Sequence, residues 1–157
     1  MDNFERVERL VKHLTNKNLT IAVAESCTGG YISHMITNIP GASKVFERGI
    51  VCYSNRAKID LLKVDPQIIE KYGAVSENVV KILANNIRLF SKVDIGIGVS
   101  GIAGPTGGTP EKPIGLVYIG FSIKERVFHK KYQFETNRTN FKVKVLEKVI
   151  QILEEYI

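Results

Sequence analysis

Residues 22–30 read AVAESCTGG, an apolar run that ends on two potential nucleophiles, Ser26 and Cys27, followed by Thr28, Gly29 and Gly30. A serine at a strand-to-helix junction can present its Oγ outward, while the backbone N–H groups of the next residues, here Cys27 and Thr28, stay free to hold an oxyanion. Serine alone is a weak nucleophile and needs a base. His13, His34 and His129 are isolated and none falls at a convincing strand exit, so a Ser-His-Asp arrangement is hard to build. The stretch YSNRAK, residues 53–58, offers another base: Tyr53 ends a strand and Lys58 lies on the first turn of the following helix. A lysine partly desolvated beside the site loses basicity and can then accept the serine proton. The competing reading makes Ser26 a helix cap and Lys58 a surface lysine, and spacing alone leaves both open.

A second chemical stretch is GVSGIAGPTGGTPEKPIG, residues 98–115. Eight of the 13 glycines lie between Gly96 and Gly120, so this segment reads as a strand exit with the backbone freedom to approach a ligand. In open α/β sheets ligands settle at the carboxyl ends of strands, where helix N-termini offer N–H groups to anions. The exit after Ala24 delivers Ser26, Thr28, Gly29 and Gly30, and the exit after Val99 delivers Ser100, Gly101, Gly104, Thr106, Gly107 and Gly108, a set that suits a phosphate-bearing small molecule. No GxGxxG opens a helix and no GxxxxGK[ST] occurs, which leaves Rossmann and P-loop chemistry unsupported. The isolated histidines and the absence of CxxC give no reason to expect a metal, and no cofactor is implied.

The elements that must position these residues follow from periodicity and punctuation. Val7, Leu10, Val11 and Leu14 recur at helical spacing over Phe4 to Lys17, and Thr20 to Ala24 reads as a short buried strand. A helix is expected over Thr28 to Asn38, a strand over Arg48 to Ser54, and a helix capped by Asn55 after it. Ser76 caps a helix with Val79, Leu83, Ile87 and Phe90 on one face; Asp94 to Ser100 is a buried strand. Leu116 to Ile123 and Arg126 to Phe134 form a hairpin, and a last helix starts near Asn137. The expected fold class is α/β: one three-layer sandwich over residues 1–157, a mixed sheet flanked by helices.

With 157 residues the chain can bury a single core without disulfides, and only two cysteines, Cys27 and Cys52, are present. The start of the chain carries no charged segment followed by a long apolar run, and the longest nearly uncharged stretch is rich in glycine and proline. A reduced, cytoplasmic protein with no membrane association is expected. The net charge of +6 suits an anionic ligand, but it equally describes a lysine-rich solvated surface. The basic residues are dispersed and no RNA-binding aromatic signature accompanies them, so nucleic acid is a minor candidate partner.

Several separated motifs in order, AESCTGG at 24–30, PGAS at 40–43, YSNRAK at 53–58, YGAVSE at 72–77 and GVSGIAGPTGG at 98–108, resemble the CinA C-terminal domain family, which also occurs as a stand-alone nicotinamide-mononucleotide amidohydrolase. The resemblance covers nearly the whole chain. It implies metal-free hydrolysis of the carboxamide of nicotinamide mononucleotide to nicotinate mononucleotide and ammonia, in pyridine-nucleotide recycling. On that basis Ser26 is the nucleophile, Lys58 the general base and Tyr53 a neighbour that positions or relays the proton, with Thr28, Gly29, Gly30, Ser100, Gly101 and Thr106 as candidates to hold the substrate's phosphate. The resemblance also implies a homo-oligomer. One departure stands out: where the family carries GDR and then a second arginine, this chain has TNRTNFK, so Arg138 keeps the first place and Lys142 takes the second. Lysine does not reproduce a bidentate arginine contact. The larger N-terminal domain of CinA proteins is not in this sequence, and a pyrophosphatase activity housed there is not implied. A reading from a different class keeps the same loops as a non-catalytic nucleotide-binding module.

Overall fold

The computed structural model describes all 157 residues. Helix α1 (Asn3–Asn16) opens on a capping box, in which Asp2 accepts from the Glu5 N–H at 2.8 Å and the Glu5 side chain accepts from the Asp2 N–H. Its buried stripe is Val7, Leu10, Val11 and Leu14, as periodicity requires. Strand β1 (Ile21–Glu25) is buried at every position. Helix α2 (Tyr31–Thr37) and a short 3₁₀ turn (Ala42–Lys44) lead to β2 (Phe46–Val51). Helices α3 (Asn55–Leu62), α4 (Pro66–Tyr72) and α5 (Glu77–Ser91) precede β3 (Ile95–Gly101), β4 (Leu116–Ile123), β5 (Arg126–Gln133) and α6 (Arg138–Tyr156).

The sheet order is β2-β1-β3-β4-β5, with β4 antiparallel to both its neighbours and the other pairings parallel. A continuous apolar core joins one face to α1, α2 and α6 through residues such as Val23, Ile97, Ile119, Phe141 and Leu146. The other face carries a smaller core in which Ala22 and Ala24 meet Leu62, Val79, Leu83 and Ile87 of α3 and α5. This is the three-layer α/β arrangement expected.

Glycines make the second layer close enough to work. Gly96, Gly98 and Gly120 sit under α5, where an added methyl would lie 2.1 Å from Ala84 O, 2.6 Å from Val80 O and 2.1 Å from Val80 O respectively. A side chain at any of them would hold the helix off the sheet. The glycine run thus has two parts: Gly96, Gly98 and Gly120 serve helix packing, and the end of β3 with the loop beyond it faces a cleft. The segment GIGVSG, 96–101, has the spacing of a dinucleotide loop but is strand throughout.

Several boundaries differ from expectation for identifiable reasons. Helix α2 starts at Tyr31, not Thr28, because Gly30 adopts φ 96° and the Glu25 carboxylate takes the first free helical N–H groups. Strand β2 lies earlier than predicted and ends at Val51. Ser54 rather than Asn55 caps α3, accepting from the Ala57 N–H at 3.0 Å. Helix α4 was not evident; Asp65 as cap and Pro66 at the first position start it. Phe90 is 40% exposed, with the Arg48 guanidinium above its ring, and so is no part of the core face of α5. No helix is long and apolar enough to cross a membrane.

Candidate active site

Parallel strands β1 and β3 end side by side, with Glu25 paired to Val99, and β2 ends beside β1. Two backbone bonds tie the three exits together: Ser26 N–H donates to Val99 O at 3.1 Å, and Cys52 N–H donates to Glu25 O at 2.8 Å. The loops after all three strands therefore open into one space, a cleft of about 270 Å³.

Ser26 and Lys58 meet there. Lys58 Nζ lies 3.0 Å from Ser26 Oγ and donates to the main-chain carbonyl of Tyr53 at 2.9 Å; Ser26 Oγ also reaches that carbonyl, at 3.3 Å. The reading of Lys58 as a surface lysine is overturned, because only 2% of it is accessible and it has no carboxylate partner. Desolvation lowers its pKa from the ordinary lysine value, opposed only weakly by the thiols of Cys52 and Cys27. Such a lysine yields a larger neutral fraction near neutral pH, which is the form able to accept a proton.

Tyr53 holds the pair through its main chain. Its phenol is 60% exposed and accepts from Arg138 Nη2 at 3.2 Å, with no hydrogen bond to Ser26 or Lys58, so the expected side-chain proton relay has no geometry in this arrangement. Arg138 is the first residue of α6, whose cap Asn137 accepts from the Asn140 N–H at 2.8 Å. Its guanidinium donates to Gly104 O at 2.7 Å and so fixes one rim of the cleft.

Of the residues expected to hold substrate, Cys27, Ser100, Gly101, Thr106 and Arg138 line the cleft. Thr28, Gly29 and Gly30 do not. Thr28 is fully buried and its hydroxyl donates to Glu25 at 2.6 Å, so it is occupied within the protein. The N-terminus of α2 is likewise filled by the Glu25 carboxylate, which leaves no anion site there. Lys142 lies outside the lining; its ammonium reaches over Gly29, 3.4 Å from where a methyl on that residue would lie. Ile102, Ala103, Gly104 and Gly107 of the glycine-rich loop line the cleft too, and so do Asn55, Ala74 and Val75, which were missed. The YGAVSE motif contained two of them, but apolar residues between helices carry no chemical signal.

The two adjacent candidate nucleophiles are equally buried, 6% exposed for Ser26 and 7% for Cys27, and differ in that only Ser26 is within hydrogen-bond reach of Lys58. Cys27 packs in the core and desolvation pushes its thiol up to about 12, which leaves a thiolate fraction on the order of 10⁻⁵ at neutral pH. Its N–H and that of Thr28 have no acceptor in the protein. Cys27→Ala is accordingly expected to keep turnover within about threefold of wild type while losing a little stability, because it contributes a backbone group. A loss as deep as that of Ser26→Ala would identify Cys27 as the attacking group.

Fold and site together define an α/β domain with a buried serine–lysine pair at the carboxyl ends of its parallel strands. The CinA C-terminal domain profile matches residues 4–157, and the chain belongs to that family. It is 45% identical over all 157 residues to a protein of Thermoanaerobacter pseudethanolicus named as competence-damage inducible, and 43% identical over 150 residues to one so named from Caldicellulosiruptor bescii. It spans 38% and 36% of those relatives. Among solved structures it resembles the competence/damage inducible protein CihA of Agrobacterium tumefaciens, with TM-score 0.95, 34% identity, and 99% and 95% of the two chains covered. It also resembles the competence damage-inducible protein A of Klebsiella pneumoniae, with TM-score 0.95, 26% identity, and coverage of 99% and 96%.

Proposed function

We propose that this chain hydrolyses the carboxamide of nicotinamide mononucleotide to nicotinate mononucleotide and ammonia. The observation that carries the proposal is the 3.0 Å contact between a buried, desolvated Lys58 and Ser26 Oγ at the mouth of β1. Neutral Lys58 takes the Oγ proton as Ser26 attacks the amide carbon, and the developing oxyanion sits on the unpaired N–H of Cys27, which lines the cleft. The Lys58 ammonium then protonates the departing nitrogen, leaving an ester on Ser26. Water enters, gives a proton to Lys58, and its oxygen displaces Oγ, which recovers the proton.

The cleft's charge supports an anionic substrate. Lys58 and Arg138 are its charged lining groups, and no carboxylate lines it. The Arg138 guanidinium, already oriented by Gly104 and Tyr53, keeps further N–H donors for a phosphate, with Thr106 and Ser100 beside it.

Ammonia release from nicotinamide mononucleotide by the purified chain tests the reading, measured across pH. Lys58 must be neutral to act, and burial lowers its pKa. The acid limb of kcat/KM therefore rises with pH and has its midpoint below the ordinary lysine value of about 10.5. Saturable binding of the nucleotide without ammonia at any pH would instead establish a binding module.

A further inference from the structure

The residue just before the nucleophile is the most heavily hydrogen-bonded side chain in the protein, and the mechanism above does not use it. Glu25 is completely buried. Its Oε1 accepts from Thr28 Oγ1 at 2.6 Å and from the Ile32 N–H at 3.0 Å; its Oε2 accepts from the Ser33 N–H at 2.9 Å and from Ser33 Oγ at 2.6 Å. All four donors are neutral, and no lysine, arginine or histidine pairs with it. It makes no hydrogen bond to Ser26 or Lys58, so it is not a base for the serine.

These contacts close a ring. The carboxylate begins at residue 25 and returns to residues 28, 32 and 33, so that Ser26, Cys27 and Thr28 form the arc between its anchor and its first contact. Without this clamp the hydroxyl of Thr28 and the first N–H groups of α2 would lose their acceptor and the 26–33 turn would rearrange to satisfy them. With it, the N–H groups of Cys27 and Thr28 stay unpaired. The carboxylate also balances the positive end of α2 from inside the fold.

We propose that Glu25 is a positioning residue for the oxyanion site: it fixes the 26–28 backbone so that the unpaired Cys27 N–H faces the reacting carbonyl oxygen. The inference rests on the amidohydrolase reading above. A misplaced donor weakens transition-state binding and leaves ground-state binding alone, so the effect belongs in kcat and not in KM.

The test uses the full chain as wild type, Glu25→Gln and Ser33→Ala, with nicotinamide mononucleotide as substrate and a fluorophosphonate as a second, substrate-independent probe of Ser26. Glu25→Gln keeps the shape but sets its NH2 against one backbone N–H, of Ile32 or Ser33, and forces the hydroxyl on the same side to turn from donor to acceptor. It is expected to lower kcat by about 10- to 100-fold with KM within about twofold, and to slow phosphonylation of Ser26 in parallel. Ser33→Ala removes one far-side donor and is expected to lower kcat several-fold with the same unchanged KM; it carries the test if the glutamine variant does not fold. Wild-type kcat and labelling in a folded Glu25→Gln, or in Ser33→Ala alone if the glutamine variant fails, would overturn the inference, as would a change confined to KM. Wild-type protein inert toward both substrate and probe would sink the amidohydrolase reading and this inference with it, whereas an active wild type with unaffected variants sinks only the second.

Discussion

Ser26→Ala and Lys58→Met are each expected to lower ammonia release from nicotinamide mononucleotide by at least about 10³-fold, and together by little more than either alone, because in the proposed mechanism nucleophile and base act as one unit. Their stabilities should diverge. Lys58 is buried without an acidic partner, so its ammonium penalises the folded state. Folding lowers its pKa, and the unfolded chain therefore binds more protons between the depressed value and the ordinary 10.5 of a free lysine side chain. Wild-type stability rises with pH across that window; the lysine costs most below it and nothing above it. Methionine fills a similar volume with no charge, leaves the Ser26 Oγ contact to Tyr53 O intact, and should add about 1–2 kcal/mol at neutral pH. For a chain of this size that is a melting temperature higher by roughly 2–8 °C. Thermal melts of wild type and Lys58→Met from pH 6 to 10 check it: the wild-type curve climbs relative to the variant as pH rises. An inactive variant that melts lower than wild type at every pH would show that the buried ammonium stabilises the fold.

Gly120→Ala should be among the most damaging single-methyl additions in the molecule. The new carbon would stand 2.1 Å from Val80 O and 2.5 Å from Val80 C, both backbone atoms of α5 with no rotamer to move aside. The helix must lift from the sheet, opening the core at Leu83 and Ile87. Overpacking of this kind costs about 3 kcal/mol, or a melting temperature lower by roughly 6–12 °C. Gly98→Ala meets the same helix at Val80 O and Leu83 Cβ, both 2.6 Å away. Once one methyl has displaced α5 the second costs less, so the double variant should fall short of the sum. Additive losses, or a Gly120→Ala melt within 2 °C of wild type, would mean that the helix accommodates the methyl locally.

The effect also reaches the site. Helix α5 follows directly on the 73–75 segment whose Ala74 and Val75 wall the cleft, so its seating on Gly96, Gly98 and Gly120 sets where that wall stands.

Local chemistry was legible in the chain. The 3.6-residue stripe of α1, the Ser76 cap, the start of the last helix near Asn137, and the hairpin of β4 and β5 depend on near neighbours, and each stands where residue spacing placed it within a residue or so. The motifs at 24–30 and 53–58 could likewise be recognised as candidates for a nucleophile and a base. Contacts across the sheet were not legible. That Lys58 closes on Ser26 depends on β2 ending beside β1, and a separation of 32 residues says nothing about distance in space. The same holds for Tyr53, singled out for its phenol but contributing a carbonyl, and for Thr28, whose hydroxyl turns inward to Glu25. Residue types and spacing determined which groups could react and which segments would be helix or strand. Only the tertiary structure decided which of them share a desolvated cleft, because burial, and with it the lowered basicity of Lys58 and the raised pKa of the Cys27 thiol, is a property of the packed neighbours and not of the residue.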